Sequence, residues 1–333
     1  MNDLLALVTQ RKDLSREQAA DAMRFLMSGE ATPAQIGAFL AAMRTKGETA
    51  EEISGFASVM REMATRITTH RRPLIDTCGT GGDHSGTFNI STTGAFVVAG
   101  AGVAVAKHGN RSATSKCGSA DVLEALGVNI DAGPDRVGQC IDSVGIGFLF
   151  ARNLHTAMKH VAAARRELGI PTVFNVLGPL TNPAGACGQI VGVFDAKRVE
   201  LLARVLNNLA TRHSFVVAGS DGLDELTLAG PSHIAEVRNG AVKTYEVYPE
   251  DFGLTRVTCD ALKGGDATEN AAILRGVLEG KPGPHRDIVL LNAAPALVAG
   301  EVAADWREGV ACAAHSIDSG AALDKLEQLV KAS

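Results

Sequence analysis

The stretch Leu74 to Thr92, LIDTCGTGGDHSGTFNIST, constrains the fold more than any other part of the chain. It opens as a buried strand at Leu74 and Ile75 and breaks at Gly79, Thr80, Gly81, Gly82 and Asp83. It closes on Asn89, Ser91 and Thr92, just ahead of a small apolar run, Gly94 to Ala101, of helical character. Glycines allow positive φ and let backbone N–H groups approach a ligand with no Cβ between them. Hydroxyls at a helix start add donors beside the positive end of the helix dipole, so this strand, loop and helix predict a phosphate or diphosphate site. The pattern is not GxGxxG, because His84 stands where the third glycine would be, and it lacks the lysine of a P-loop. Asp83 inside the loop implies that the anion arrives with a divalent cation or carries sugar hydroxyls. A tight turn alone would account for the glycines, but not for the polar cluster behind them.

A chain of 333 residues accommodates two domains or one large one. With 46% hydrophobic and 21% charged residues it has the composition of a globular protein. A net charge of −5 and a pI near 6.0 argue against nucleic acid as the main partner, which calls for a basic field. Only 4% of residues are aromatic, so stacking platforms for bases are scarce too. The six cysteines (Cys78, Cys117, Cys140, Cys187, Cys259 and Cys312) form no CxxC pair, as expected of reduced thiols rather than a disulfide frame or zinc site. No apolar run has the length of a membrane span and no signal peptide is recognisable, so a cytoplasmic protein without membrane contact is expected.

The first seventy residues read as helices throughout. Capping-box patterns mark three starts: Ser15 with Gln18, Thr32 with Gln35, and Thr49 with Glu52. Pro33 takes a first helical position, where its missing N–H costs nothing. Ile36, Phe39, Leu40 and Met43 share one apolar face, and Gly29 and Gly47 fall at helix ends. No polar constellation stands out, so this is a packing or dimerisation domain.

From Leu74 onward β-rich runs alternate with helical ones. Strands are expected at Val103 to Lys107, Gly145 to Phe150, Ile190 to Phe194, Phe215 to Gly219 and Ile288 to Leu291, with a helix at Asp195 to Ala210. The alternation predicts an α/β domain with a largely parallel sheet, whose ligands gather outside the carboxyl ends of the strands.

Three further constellations fall near such ends. Lys107 to Gly127, KHGNRSATSKCGSADVLEALG, offers Lys107, a turn at Gly109, Asn110 and Arg111 as donors, and the hydroxyls of Ser112, Thr114, Ser115 and Ser119 before a helix at Val122 to Leu126. It reads as a second anion-binding loop for the other end of one extended ligand, or else as a capped helix start. Around Met158 to Leu168, spacings of 3, 4 and 3 put Met158, Val161, Arg165 and Leu168 on one helical face and turn Arg166 to solvent. An inward arginine cannot shed its charge and needs an anionic partner. Spacing alone does not choose between a protein carboxylate and a ligand carboxylate. Finally, Ser220-Asp221-Gly222-Leu223-Asp224-Glu225 suits Mg²⁺, which takes few carboxylates and keeps waters and phosphate oxygens; a surface acidic turn is the alternative.

In order along the chain, GTGGD, NIST, KHGNR with GSADVLEALG, RRELG with VFNVLGPLTNP, and DGLDE resemble the anthranilate phosphoribosyltransferase family. The likeness runs from AQIGAFLAAMR in the helical start to RDIVLLNAAPAL near the end. It implies a nucleoside-phosphorylase-like architecture: a small all-helical domain over residues 1–70, and a larger α/β domain with a mostly parallel central sheet over 71–333. Residues 169–185 would return to the helical domain as a hinge, and the protein would be a homodimer.

The resemblance further implies that phosphoribosyl diphosphate binds at Gly79, Gly82, Asp83, Thr87, Asn89, Ile90, Ser91, Thr92, Lys107, Ser115 and Ser119, and that Ser91, Asp224 and Glu225 hold two Mg²⁺ ions per subunit. Anthranilate would meet Gly79, Asn110 and Arg165, with His108, His155 and Gly178 nearby, so Arg165 would pair with the substrate carboxylate. Catalysis would rest on positioning by Asn110, Arg165 and Lys107 rather than on a base or covalent nucleophile. The two histidines would carry the amine proton or only shape the pocket. Departures from the family pattern are Arg152, Thr156, Pro171, Cys117 and Pro295; Arg152 and Thr156 would lie beside the acceptor tunnel. Two rivals remain at this stage, a pyrimidine nucleoside phosphorylase and a noncatalytic nucleic-acid-binding relative. The acidic loop speaks against the first and the low pI against the second.

Overall fold

The computed structural model describes residues 1–112 and 115–333; Thr114 lies outside the described residues. Four helices open the chain: α1 (Asn2–Thr9), α2 (Arg16–Ser28), α3 (Pro33–Lys46) and α4 (Ala50–Met63). Each of the three capping boxes forms, with the side chains of Ser15, Thr32 and Thr49 accepting from the backbone N–H three residues on. Gly29 and Gly47 end their helices with φ of 85° and 86°. The helical reading ran too far, because residues 64–73 form an extended connector carrying Pro73. Within the bundle Phe39 and Phe56 meet edge to face with centroids 6.1 Å apart, a geometry worth about 0.5–1.5 kcal/mol beyond area burial. Glu52 is fully buried and is balanced by Lys46 Nζ at 2.8 Å and Leu14 N–H at 2.8 Å.

The remainder alternates strands and helices: β1 (Leu74–Gly79), α5 (Ile90–Gly100), β2 (Ala104–Gly109), α6 (Ser119–Ala125), α7 (Pro134–Val144), β3 (Ile146–Phe150), α8 (Ala151–Leu154), α9 (Lys159–Leu168) and α10 (Phe174–Leu177). Then come β4 (Gly188–Gly192), α11 (Val199–Asn208), β5 (His213–Gly219), β6 (Ser232–Arg238), β7 (Ala241–Val247), α12 (Ala267–Leu278), α13 (Pro284–Ala299), α14 (Trp306–Asp318) and α15 (Ala321–Ala332). The strands lie side by side in the order β3-β2-β1-β4-β5-β6-β7. The first five are parallel, while β6 and β7 add an antiparallel hairpin turning at Asn239-Gly240.

Ile288 to Leu291 is not a strand; it belongs to α13, whose residues from Ile288 to Ala299 are all buried. A short apolar run in a helix buried on every side carries no amphipathic signal, so periodicity cannot separate it from an interior strand.

Alternation along the strands divides the core. Ile75, Ile190, Phe215, Val217 and Ile234 face α5, α13, α14 and α15. Val191, Val193, Val216, Ala218, Ala235 and Val237 face the other way and join α11 and the N-terminal bundle in one continuous apolar cluster. That cluster also takes in Val161 and Ala164 of α9 and Val173 to Leu180 around α10.

Candidate active site

The sheet order reverses at β1, with β2 on one side and β4 on the other. A crevice opens beyond the carboxyl ends of strands at such a switch point, and the glycine-rich loop leaves β1 there. Gly81 and Gly82 take φ of 69° and 85°, conformations that L side chains rarely adopt. Asp224, arriving after β5, seats its Oδ2 on Gly81 N–H at 2.7 Å. The seat exists because its neighbours lack side chains. A Cβ on Gly79 would lie 2.3 Å from Asp224 Oδ2, and one on Gly192 would lie 1.6 Å from the Asp224 carbonyl oxygen.

Beside it, Glu225 Oε1 accepts from Ser91 N–H at 3.1 Å in the first turn of α5. The open donor expected at that helix start is therefore partly taken up by a protein carboxylate. Asn89 caps α5 without a side-chain cap bond, and its carboxamide is engaged elsewhere. Ile90 and Thr92 are buried in the same turn.

Water still reaches part of the Asp224 and Glu225 side chains, but their carboxyl groups sit deep among protein atoms. Burial and the charge of Asp83 push Asp224 up to about 7, and burial and Asp224 push Glu225 up to about 8. Like charges forced together out of bulk water call for a cation. Among the described residues no three His, Cys, Asp or Glu side chains gather into a metal cage. The donor set is oxygen only, which fits Mg²⁺ completing its shell with water and phosphate oxygens. Asp224 and Glu225 thus face inward, while Ser220 and Asp221 of the same turn stay exposed.

Lys107 lies in the middle of β2 rather than at its end. It is 3% exposed, its ammonium donates to the Thr77 carbonyl, and its charge acts on the carboxyls of Glu225 and the buried Asp76. Asp76 accepts from His108 N–H at 3.0 Å and Asn182 Nδ2 at 2.8 Å, and burial raises its pKa. Neither Asp76 nor Asn182 was singled out by the sequence; DT ahead of a glycine loop and LTNP after one were the available signals.

The loop after β2 folds on itself. Ser119 Oγ and Asn110 are joined at 3.2 Å, and Ser112 Oγ bonds Ser115 N–H at 2.8 Å. Ser112 is therefore a structural hydroxyl. Arg111 is not a free donor either. It pairs with Asp121 and Glu124, each at 2.8 Å, and lies over Phe150. In the first loop Thr87 Oγ1 meets Ser85 Oγ at 3.2 Å, and Ser85 N–H turns back to Asp83 at 3.3 Å.

Arg165 faces inward on α9 and Arg166 outward, as the spacing requires. Its guanidinium stacks 4.8 Å over the Phe174 ring. Burial alone pulls its pKa below the usual value, with no described carboxylate acting on it. His108 and His155 approach with ring centroids 5.2 Å apart. The Gly178 carbonyl lies 3.2 Å from His108 Nδ1 and can only accept, which places the ring hydrogen there and leaves Nε2 a bare acceptor. His108 Nε2 and His155 Nε2 are buried and unpartnered among the described residues. Gly178 begins the Gly178–Leu180 turn, held by Gln189 Nε2 on Pro179 O at 2.6 Å and Arg61 Nε on Leu180 O at 2.7 Å.

Burial holds His108 down at about 3 and His155 at about 4, so both stay neutral near pH 7. Their folded values lie below the ordinary 6.5, so unfolding takes up protons. The stability they contribute is fully present above pH 6.5 and is lost as pH falls toward about 4 for His155 and about 3 for His108. The carboxylates at 224 and 225 act with the opposite sign over part of this window, so a comparison of variants is the clean test. Relative to His108→Gln/His155→Gln, the wild type should lose about 1.4 kcal/mol per pH unit for each histidine below pH 6.5. Parallel denaturation midpoints from pH 7 to 5 would refute this.

A helical bundle thus packs on an α/β sheet, with two polar loops and an acidic pair at the switch point. Residues 2–64 match the glycosyl transferase family helical bundle domain, and residues 71–323 match the glycosyl transferase family a/b domain. An anthranilate phosphoribosyltransferase of Symbiobacterium thermophilum is 60% identical over 330 residues, covering 99% of this chain and 96% of the relative. The crystal structure of the Thermus thermophilus anthranilate phosphoribosyltransferase superposes with a TM-score of 0.95 at 46% identity, covering 99% of both chains. The Saccharomyces cerevisiae enzyme in complex with PRPP and Mg gives 0.90 at 30% identity, covering 99% of this chain and 98% of that one. The chain belongs to the anthranilate phosphoribosyltransferase family.

Proposed function

We propose that the protein transfers the phosphoribosyl group of 5-phosphoribosyl 1-diphosphate to the amine of anthranilate, giving N-(5-phosphoribosyl)anthranilate and diphosphate, a step of tryptophan biosynthesis. Family membership over the whole chain supports the reaction. The observation that carries the acceptor assignment is Arg165, a partly buried guanidinium with no carboxylate among the described residues acting on it. That leaves the ligand carboxylate as its partner.

The donor sits across the glycine loop Gly79 to Asp83, with Thr87, Asn89, Ile90, Ser91 and Thr92 behind it and Lys107, Ser115 and Ser119 from the second loop. Ser91, Asp224 and Glu225 would hold two Mg²⁺ ions, which when bound would neutralise charge developing on the departing diphosphate. The loop's backbone N–H groups other than those of Thr80, Gly81, Ser85 and Thr87, which bond protein atoms, supply donors for the same charge. Arg165 anchors the anthranilate carboxylate, and Asn110 and Gly79 line its path. His108, neutral and with Nε2 as acceptor, takes a hydrogen bond from the amine rather than storing its proton. Residues 169–185 are a hinge along which the bundle closes, and the molecule acts as a homodimer. Six free cysteines suit a reducing compartment such as the cytoplasm, and no described helix is long and apolar enough to cross a membrane.

Loss of anthranilate fluorescence upon addition of phosphoribosyl diphosphate and Mg²⁺ tests the assignment. Arg165→Ala should raise KM for anthranilate roughly 10- to 100-fold, the worth of hydrogen bonds to a charged group of about 1.5–3 kcal/mol. KM for the donor should stay near its wild-type value. An unchanged acceptor KM would sink the role of Arg165, and no turnover by wild type would mean a different acceptor.

A further inference from the structure

We propose that Asn270, at the start of α12, fixes the direction in which Asn89 presents its amide donor to the phosphosugar. The inference rests on Asn89 belonging to the donor site. Asn270 is 2% exposed and distant in sequence from both anion loops. Its Oδ1 receives Gly265 N–H at 2.8 Å, and its Nδ2 points to Asn89 Oδ1 at 2.9 Å. Asn89 in turn points Nδ2 to the Cys117 carbonyl at 3.3 Å, bridging the first anion loop to the second.

Both ends of this relay are backbone groups of fixed polarity. An N–H only donates, so Asn270 must offer it oxygen and turn its NH₂ toward Asn89. A carbonyl only accepts, so Asn89 must turn its own NH₂ toward Cys117. Rotating either amide by half a turn would set like atoms against each other at both ends. The Cys117 thiol also leans on Asn89 Oδ1, at 3.5 Å. The second hydrogen on Asn89 Nδ2 is then left for a ligand oxygen. The seat for Asn270 needs glycine, since a Cβ on Gly264 would lie 2.4 Å from its Oδ1. The same segment clasps the first loop through Gly264 N–H on Gly86 O at 2.9 Å and Lys263 Nζ on Ser85 O at 2.6 Å.

Asn270→Asp keeps the acceptor for Gly265 and removes the donor, so Asn89 must turn its NH₂ toward residue 270 and its oxygen toward Cys117 and the phosphosugar. KM for phosphoribosyl diphosphate should rise about tenfold or more, with KM for anthranilate near wild type. Asn270→Ala, which adds no charge, should shift the donor KM in the same direction by a smaller factor. In an Asn89→Ala background, itself raised in donor KM, Asn270→Asp should have no further effect. An equal effect in both backgrounds would mean that the new charge repels the donor directly, and would overturn the relay. So would wild-type donor KM in both Asn270 variants. Wild-type donor KM in Asn89→Ala would instead remove Asn89 from the donor site.

Discussion

Replacing Asp224 by Asn together with Glu225 by Gln should lower turnover by at least about a thousandfold, equivalent to roughly 4 kcal/mol of transition-state stabilisation. The same change should make the ligand-free protein more heat-stable. The two carboxyls lie in a crowded pocket with Asp83, and each is pushed up by burial and by its neighbour's charge. Both can keep their backbone hydrogen bonds as amides, because Gly81 N–H and Ser91 N–H need only an oxygen acceptor. What disappears is the repulsion, which is useful only when a cation is bound. Calorimetry without ligand and the fluorescence assay with saturating Mg²⁺ read the two sides. A double variant that loses activity and stability together would mean that the acids serve the fold, and one that keeps its activity would place the cation elsewhere.

The second large effect is expected at Gly192. An added methyl would lie 1.6 Å from the Asp224 carbonyl oxygen and 2.6 Å from its carbon. Strand β4 cannot retreat, since Gly192 is paired to Gly79 on one side and Val217 on the other. The segment bearing both acids must move instead. Overpacking a filled site costs about 1–3 kcal/mol and occasionally more, and collision with backbone rather than a side chain puts Gly192→Ala at or above the upper end. Gly79→Ala meets chiefly the Asp224 side chain, at 2.3 Å, with the Asp224 carbonyl oxygen no closer than 3.3 Å, and should cost less. Gly178→Ala has open space around it and a helical φ of −50°, so it should fold as the wild type does. Urea midpoints should rank in that order, with Gly192→Ala also losing activity; a wild-type midpoint for Gly192→Ala would refute the steric account.

The local parts of this design were legible in the sequence, because helix caps and strand alternation are written within a few residues. Ser15, Thr32 and Thr49 could be read as caps from their partners three positions away. The glycine loop could be read from its composition as the turn that leaves a strand. The hairpin β6–β7 was equally local, with Asn239-Gly240 between alternating runs, and was overlooked. Ile288 to Leu291 could not be assigned by period, as burial on all sides erases the signal. Contacts across the chain were out of reach: nothing near Gly192 in sequence shows that it is glycine for the sake of Asp224, and nothing near Asn270 shows Asn89. Arg111 looked available until Asp121 and Glu124 were seen to claim it.

The apolar cluster that runs unbroken from the N-terminal bundle into one face of the sheet has a consequence for recombination. The bundle is not a cassette that can be cut out at the connector and exchanged between relatives. Its inner surface is completed by Val191, Val216 and Leu202, residues encoded far downstream, and by α9 and α10. A chimera that takes residues 1–64 from a relative will fold well only if the donor of the bundle also matches these downstream faces. Over evolutionary time, the first and middle thirds of the chain are therefore bound to drift together.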